Sequence, residues 1–241
     1  MFGESKLPLK KWFLAIYLLS TSSKGISSVQ LAKLVGVTQK TAWFIDHRIR
    51  EAIQDDGDKL SGSVEVDETY VGGKEKNKHA SKRVEGTQGR STKTKTPVIG
   101  MVQRGGDVKA VVEEKVNAET IKNHILENVR KNSQLYTDEF KAYIPIRKLF
   151  PKHQIVRHKD GEYVNGKAHT NTIECFWSLF KRGYVGVYHL MSRKHLQRYV
   201  NEYVYRFNNR KISTGAIFLD AVQKVSKSNR LSYRTLTKSP I

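Results

Sequence analysis

Three acidic residues lie on one short stretch with the composition of a β-strand. Glu65, Asp67 and Glu68 stand within a run of β-branched and aromatic residues that a pair of glycines ends. Burying a carboxylate is costly unless it is paired or bound to a cation. An acid on a central strand therefore predicts a metal site. The alternative is an edge strand with one solvated face, on which the acids need no partner.

Two further acids complete a candidate metal-binding set with Asp67. Asp138 ends the fourth predicted strand, and Glu174 lies near the start of a later predicted helix. We expect the first and fourth strands to be neighbours, so that Asp67 and Asp138 meet at one edge of the sheet. Carboxylate oxygens suit Mg²⁺ or Mn²⁺, which keep waters and bind substrate phosphates. Two such ions can stabilise the attacking and leaving oxygens of an in-line phosphodiester displacement.

Each of these residues also has an ordinary structural explanation. Asn171 and Glu174 have the spacing of a capping box, and one carboxylate cannot easily both cap a helix and bind a metal. Asp138 alone could be a strand-end acid or the cap of the next helix. Lys181 follows Glu174 by two helical turns, so both lie on nearly the same face. Lys181 could hold a DNA phosphate beside the metal ions or be a solvated surface lysine.

The charge of the chain favours a polyanionic partner. Its 241 residues carry a formal net charge of +20, with a pI near 9.9. Nucleic acid is the commonest such partner. An anionic membrane surface is the rival, but no apolar run approaches the ~18–20 residues of a spanning helix, so we expect a soluble, intracellular protein. A single cysteine, Cys175, argues against a disulfide framework or a Cys-rich zinc site within the chain.

Residues 6–56 have the pattern of a small helical domain. Apolar residues recur at three- and four-residue steps in three segments, with serine or threonine caps and a turn at Gly36-Val37. This pattern matches a helix-turn-helix whose third helix reads DNA. The alternative is a three-helix bundle used for protein contacts. The positive charge favours DNA, and the predicted contacts on the third helix are Gln39, Lys40, Thr41, His47 and Arg48.

Residues 74–96 form a basic tract without a hydrophobic period. The tract holds eight Lys or Arg residues against two Glu, which is typical of a long loop that touches phosphates. The alternative is a solvated segment without a role. The predicted phosphate contacts are Lys82, Arg83, Arg90, Lys93 and Lys95.

The remaining segments predict an α/β domain. Strands are predicted at 98–103, 108–112, 134–138 and 154–157, with helices at 118–130, 139–150, 170–182 and 192–210. With the acidic strand, this order predicts a ribonuclease H-like mixed five-stranded sheet with flanking helices, preceded by the all-α helix-turn-helix domain. The predicted divisions are 1–56 (helix-turn-helix), 57–62 (linker), 63–212 (catalytic domain) and 213–241 (basic tail). We expect the part from Lys224 onward to be weakly ordered.

Three motifs, in this order, resemble those of the IS1595/ISXO2-like transposases of bacterial insertion sequences. They are Val66-Asp-Glu-Thr-Tyr-Val-Gly-Gly73, Tyr136-Thr-Asp138 and His169-Thr-Asn-Thr-Ile-Glu174-x-Phe-Trp177-Ser-x-x-Lys181-Arg182, within a likeness over about residues 7–210. The resemblance implies a DDE transposase that uses Mg²⁺ or Mn²⁺ and binds double-stranded DNA as a homo-oligomer. It implies a metal-binding triad of Asp67, Asp138 and Glu174, with Lys181 at the basic position after it. His169, Asn171 and Arg182 belong to the third motif and are candidate DNA contacts.

The resemblance also implies a reaction. A metal-activated water cuts DNA at the element's ends, and the freed 3′-hydroxyl then attacks target DNA in the bacterial nucleoid. Many members of the family carry a Cys-rich zinc ribbon before the helix-turn-helix, whereas this sequence begins almost directly at the first helix, so no zinc is expected. Two alternatives stay open. One is a transposase remnant that binds DNA as a repressor or competitor, and the other is a structure-specific nuclease that cuts without joining.

Overall fold

Contacts along the chain divide it into two units. One is Gly57–Ser178, and the other combines Met1–Asp56 with Leu179–Ile241. The computed structural model describes residues 2, 5–54, 57–73, 75–87, 89–156, 169–229 and 231–238.

A five-stranded mixed sheet forms the centre of the first unit. The strands are β1 (Ser63–Val71), β2 (Thr96–Gln103), β3 (Val108–Val112), β4 (Gln134–Thr137) and β5 (His153–Ile155), in the order β3-β2-β1-β4-β5. β1, β2 and β3 pair antiparallel, whereas β1 with β4 and β4 with β5 pair parallel. This arrangement confirms the predicted ribonuclease H-like sheet, including the neighbouring first and fourth strands.

The two faces of β1 carry different side chains and pack against different elements, because side chains alternate along a strand. Val64 and Val66 are fully buried in an apolar cluster with Ile121 and Ile125 of helix α4 (Ala118–Asn128). A 3₁₀-helix at Lys141–Lys148, which contains Pro145, adds Tyr143 and Ile146 to the same cluster. Glu65 and Asp67 therefore lie on the opposite face.

Helix α5 (Asn171–Gly183) begins on that opposite face of the sheet. A Cβ added to Gly100 of β2 would lie 2.5 Å from the Trp177 ring and 3.0 Å from Ile173. Such distances leave no room for a side chain, so this glycine permits the close approach of α5 to the sheet. Glu65 and Asp67 consequently face the first turns of α5.

The segment predicted to be a linker is partly built into the sheet unit. Leu60 is 3% exposed and exchanges backbone hydrogen bonds of 2.8 Å with Asn128 and Arg130. A buried leucine with paired backbone groups is structural, so the predicted linker at 57–62 is wrong at this position. The polar and Gly-bearing composition around Leu60 concealed it.

The helix-turn-helix pattern forms three helices in the second unit. They are α1 (Leu9–Thr21), α2 (Ser28–Val35) and α3 (Gln39–Ala52). Ser27 caps α2 by accepting from the Gln30 N–H, and Thr38 caps α3 by accepting from the Thr41 N–H. Gly36 has φ +68°, the left-handed conformation that glycine adopts without strain, and this ends α2.

The C-terminal helices share the core of α1, α2 and α3. They are α6 (Leu196–Asn208), α7 (Thr214–Lys227) and α8 (Tyr233–Thr237), preceded by a π-helix at Tyr184–Tyr188 and a 3₁₀ turn at Arg193–His195. Tyr205, Ala221 and Val225 are buried in the same cluster as the N-terminal helices. Among the described helices, none combines the length and apolar character needed to cross a membrane.

Two sequence predictions about this region are wrong. The predicted basic tail at 213–241 contains helices α7 and α8, because Ser213 caps α7 and apolar residues recur at three- and four-residue steps along it. The unit boundary falls inside α5 rather than at residue 212. The basic composition of the C-terminal segment hid the apolar stripe.

Candidate active site

Three acids come together where β1 and β4 run side by side. Ligand-capable oxygens of Asp67, Glu68 and Asp138 all lie within 4.8 Å of one another. Glu65 pairs with Tyr136 across the two strands, and Asp67 and Asp138 each follow two residues later. Parallel register therefore carries two carboxylates that are far apart in sequence to one edge of the sheet.

The surroundings of these acids make it unfavourable for all three carboxyl groups to be ionised together. Burial, followed by the charges of Glu68, Asp138 and Glu174, raises the pKa of Asp67 to about 7. Burial and then Asp138 also raise the pKa of Glu68, while hydrogen bonds from Tyr143 and Arg90 act in the opposite direction. A divalent cation would remove this repulsion, and the donor set is the oxygen-only kind that Mg²⁺ and Mn²⁺ prefer. The residues present therefore fit the implied metal.

Neutral donors orient two of the three carboxylates. The indole Nε1–H of Trp177 donates to Asp67 Oδ2 at 3.1 Å. The Tyr143 hydroxyl donates to Glu68 Oε2 at 2.8 Å. These bonds hold both carboxylates in fixed directions, as a metal ligand must be held.

Glu174 lies on the first turn of α5 and is not one of the three clustered acids among the residues that the structure describes. Its Oε1 accepts a hydrogen bond of 2.9 Å from the Thr170 hydroxyl, and its charge contributes to the raised pKa of Asp67. Asn171 is the first residue of α5 rather than the residue before it, so the capping box that its spacing suggested is not the one formed. Thr170 and Glu174 are paired instead.

Glu65, for which the sequence predicts no individual role, caps α5. The carboxylate is fully buried, and Oε2 accepts from the backbone N–H groups of Thr172 at 2.8 Å and Ile173 at 2.9 Å. Oε1 accepts from Arg104 Nε at 2.7 Å, and His169 Nδ1 lies 3.2 Å from it. Its position two residues before Asp67, on the same face of β1, was the available signal.

Arg90, in the basic tract, binds the acids of the cluster. Its Nε donates to Glu68 Oε1 at 2.8 Å and its Nη2 to Asp138 Oδ2 at 2.9 Å, while the guanidinium lies 4.1 Å from the centre of the Phe140 ring. A cation thus already lies on two of the three clustered carboxylates. This contact differs from the phosphate contact that the sequence predicts for Arg90.

The other predicted contacts of the tract hold the loop itself. Arg83 donates to the carbonyls of Lys78 and Lys76 at 3.0 and 3.1 Å. Lys93 donates to the Glu85 carbonyl at 3.1 Å, and Lys95 to the Gly89 carbonyl at 3.3 Å. Lys82, Arg83 and Lys93 are exposed, so these side chains also remain accessible from solvent.

On helix α3 the predicted DNA contacts fall into two groups. Gln39 and Lys40 are exposed, and Thr41 is half-buried beside its cap. His47 and Arg48 are 0% and 6% exposed, which contradicts the prediction that they meet DNA. The C-terminal helices enclose this part of α3, a packing that the local pattern could not reveal.

The buried residues His47 and Arg48 contact other side chains of the protein rather than forming part of a DNA-binding surface. His47 packs against the rings of Trp43, His195 and Tyr199, and burial lowers its pKa to about 2, so it is neutral. The Arg48 guanidinium lies 4.9 Å from the Trp12 ring centre.

The remaining candidates of the third motif lie on or just before α5. His169 is half-buried near Glu65, and Asn171 is exposed at the start of the helix. Lys181 and Arg182 are exposed in its last turn.

Comparison with known proteins places this fold and acidic cluster in a family. The model of the ISXO2-like transposase domain matches residues 59–208, which contain the whole sheet and helices α4, α5 and α6. The chain belongs to the ISXO2-like transposase family. That span contains all three acids of the cluster as well as Glu174.

Two curated relatives are similar to this chain. An uncharacterized protein in transposable element ISH50 of Halobacterium salinarum is 34% identical over 191 residues, which is 76% of this chain and 64% of the relative. An uncharacterized transposase-like protein of Haemophilus influenzae is 28% identical over 119 residues, 49% of this chain and 95% of the relative. The chain thus spans just under two thirds of the length of the first.

Solved structures give a weaker likeness. The Mos1 strand transfer complex aligns with 94% of this chain and 81% of its own, at 12% identity and a TM-score of 0.36. A simian T-cell lymphotropic virus intasome aligns with 89% and 71%, at 14% identity and a TM-score of 0.33.

Proposed function

We propose that this ISXO2-like transposase cuts DNA strands and joins them at a metal-dependent site held by Asp67, Asp138 and Glu174. The observation that carries the proposal is the meeting of Asp67 and Asp138 at the β1–β4 edge, with their oxygens within 4.8 Å. Burial and like charges raise the pKa of Asp67 to about 7, as expected where carboxylates converge to hold a cation. Magnesium or manganese, when bound, supplies stabilisation of the attacking and leaving oxygens of phosphodiester displacement.

The residues of the chain divide the remaining tasks. Asp67 and Asp138 present oxygens from two rigid strands, and Trp177 fixes the orientation of Asp67 through its 3.1 Å hydrogen bond. Glu68 adds a further carboxylate at the same edge. Glu174 approaches from α5, and the exposed ammonium of Lys181 is available to a DNA phosphate. No covalent enzyme intermediate is needed in this scheme.

Double-stranded DNA is the proposed partner. A net charge of +20 supplies the long-range attraction, and exposed Gln39 and Lys40 at the start of α3 supply the side chains that would enter a groove. The exposed cations of the basic tract add phosphate contacts. Joining two element ends requires at least two copies on DNA, so a homo-oligomer is part of the proposal.

A DNA-binding protein that does not cut is the second candidate. The observation that favours it is Arg90, whose guanidinium is bonded to Glu68 and Asp138 at 2.8 and 2.9 Å. If that contact persisted on DNA, the acids could not bind a metal ion, and the protein would act as a repressor or competitor.

Cleavage assays separate the two candidates. The full-length chain would be incubated with DNA spanning both flanks of its own gene, with Mg²⁺, Mn²⁺ or EDTA, and nicks mapped to the nucleotide. Asp138→Asn and Glu174→Gln test the site, and Asp107→Asn, an exposed acid in the β2–β3 turn, is the matched control.

The expected result is metal-dependent cutting at defined flanking positions by the wild type and by Asp107→Asn. Both site variants should lose it by at least a hundredfold while keeping DNA affinity, because a lost metal ligand removes transition-state stabilisation rather than groove contacts. Binding without cutting under any metal would instead support the second candidate. Cutting without strand joining would support a nuclease.

A further inference from the structure

The helical unit contains a cavity, open to solvent on one side, that the proposed cutting reaction does not use. Its volume is about 420 Å³, within the size range of small-ligand sites. The start of α2, one side of α3, Tyr199 of α6 and residues 187–190 form its walls. All of these elements belong to the unit that contains the helix-turn-helix.

Asp46 of α3 lies at the wall of this cavity without a hydrogen bond. The residue is 1% exposed, and neither Oδ1 nor Oδ2 accepts a hydrogen bond from the described part of the chain. Arg50 Nη2, at 4.0 Å from Oδ2, is the nearest cation. Burying a carboxylate whose two oxygens accept no hydrogen bond costs free energy. A ligand with matching donors would therefore bind there favourably.

Aromatic rings surround the carboxylate. Trp43, Tyr188 and Tyr199 line the cavity, and the rings of Tyr188 and Tyr199 are 4.9 Å apart. Flat apolar walls of this kind favour a planar, ring-shaped ligand.

The backbone beside the cavity is irregular. Residues 184–188 form a π-helix, and His189, which follows, has φ 58° and ψ −36°. Among the described residues it is the one non-glycine with positive φ. Both features are concentrated at functional sites in proteins, which agrees with a ligand-binding role for this cavity.

We propose that this cavity binds a guanine base, with Asp46 accepting from its N1–H and N2–H groups. Two unused oxygens on one carboxylate call for two parallel N–H donors, and the Watson–Crick edge of guanine carries them side by side. Guanine O6 lies next to N1 and can accept from Arg50 at the same wall. A guanidinium ligand also has paired donors, but the buried cation Arg50 would repel it.

The position of the cavity connects it to DNA. Ser28 lines the cavity, and its hydroxyl accepts a hydrogen bond of 2.8 Å from Gln39, the first residue of α3 and a predicted DNA contact. A guanine extruded from the stack near α3 would therefore have a short path into the cavity. The choice of a DNA base as the ligand rests on the DNA binding proposed above, whereas the donor–acceptor chemistry does not.

Neutral nucleosides test the cavity without phosphate electrostatics. Deoxyguanosine, deoxyadenosine, deoxycytidine, thymidine and arginine amide would each be titrated into the full chain and followed by saturation-transfer NMR. The test variant is Asp46→Asn. Its control is Glu51→Gln, an acid on the same helix that bonds Arg198 and does not line the cavity.

Deoxyguanosine should bind at least tenfold more tightly than the other nucleosides, and Asp46→Asn should remove that preference while Glu51→Gln keeps it. Affinity of the wild type should also rise with pH through about 7, since burial raises the pKa of Asp46 to about 7 and only the ionised form accepts both bonds. Arg50, Glu202 and Arg206 are the charged groups facing it and stay ionised in this range. This pH dependence tests the proposal even if Asp46→Asn fails to fold.

Preference for arginine amide, equal binding of all four nucleosides, or binding of none would overturn the proposal. Those results would not bear on the proposed cutting site, because that site is tested by measuring DNA cleavage with the Asp138 variant. Conversely, binding of deoxyguanosine without any cutting of DNA would support the guanine site and contradict the proposed cutting reaction.

Discussion

The carboxylate of Glu65 accepts a 2.8 Å hydrogen bond from the backbone N–H of Thr172, which lies 107 residues later in the chain. This bond and its neighbour at Ile173 fasten the start of α5 to the strand that carries Asp67. The separation between Asp67 and Glu174 therefore depends on a residue that is not itself in the triad. Glu65 is a positioning residue in the proposed reaction.

Glu65→Gln should loosen this junction. The amide presents an NH₂ group to backbone donors and leaves Arg104 without its anion, so we expect a loss of about 1–3 kcal/mol in the free energy of unfolding. Cleavage should fall further than Mn²⁺ affinity, because Asp67 and Asp138 remain on their strands. Urea unfolding, Mn²⁺ titration and cleavage rates measure the three quantities. Glu114→Gln, an exposed acid, is the control, and equal stability of both variants would contradict the capping role.

Arg90 and a metal ion compete for the same oxygens. Arg90→Ala should raise Mn²⁺ affinity severalfold, because Glu68 and Asp138 lose the cation that occupies them. Electron paramagnetic resonance of free Mn²⁺ measures this without any cleavage. Arg83→Ala removes an exposed arginine of the same tract that bonds the loop carbonyls of Lys78 and Lys76, and it should leave the affinity unchanged. Weaker Mn²⁺ binding by Arg90→Ala would indicate that Arg90 supports the site.

The raised pKa of Asp67 gives stability a definite pH dependence in EDTA. Between the ordinary value of 3.8 and about 7, the folded protein keeps a proton on Asp67 that the unfolded chain releases. The contribution of this group is thus greatest below about pH 4 and is lost as the pH rises through about 7. Asp67→Asn should make the decline in wild-type stability between about pH 4 and about pH 7 shallower. Asp46, whose pKa is similarly raised, keeps part of the decline. A slope identical to wild type would refute the assignment.

DNA affinity should distinguish the exposed from the buried side chains of α3. Lys40→Ala should reduce the slope of log affinity against log salt by about 1, as expected for one lost phosphate contact. Arg48→Met, at a buried position, should leave the slope of the folded protein unchanged. Fluorescence anisotropy over a salt series measures both. A reduced slope for Arg48→Met alone would restore the original prediction for that residue.

Helix α7 should be essential to the fold of the helical unit. Ala221→Asp places an unpaired charge in the core shared with α1 and α3, and should cost about 3 kcal/mol or more. Leu219→Asp, at a position 61% exposed on the same helix, should cost far less. Thermal unfolding followed by circular dichroism compares them. Similar melting temperatures for the two variants would mean that α7 is dispensable.

Features that depend on residues close together in sequence could be predicted from the local sequence pattern. The cap at Thr38 and the turn at Gly36 follow from residue type and spacing. The order of strands placed β1 beside β4, and with it Asp67 beside Asp138, because few sheet topologies accommodate that order.

Tertiary packing alone decided the partners that lie far apart in sequence. Arg90 was predicted to touch phosphate, and it binds Glu68 and Asp138. His47 lies on a face of α3 that looks polar, yet α6 covers it. Periodicity reports which face of a helix or strand is apolar, but it cannot report which distant group lies opposite a buried charge. That choice is made by the summed packing of elements more than a hundred residues apart, as at Glu65 and Thr172.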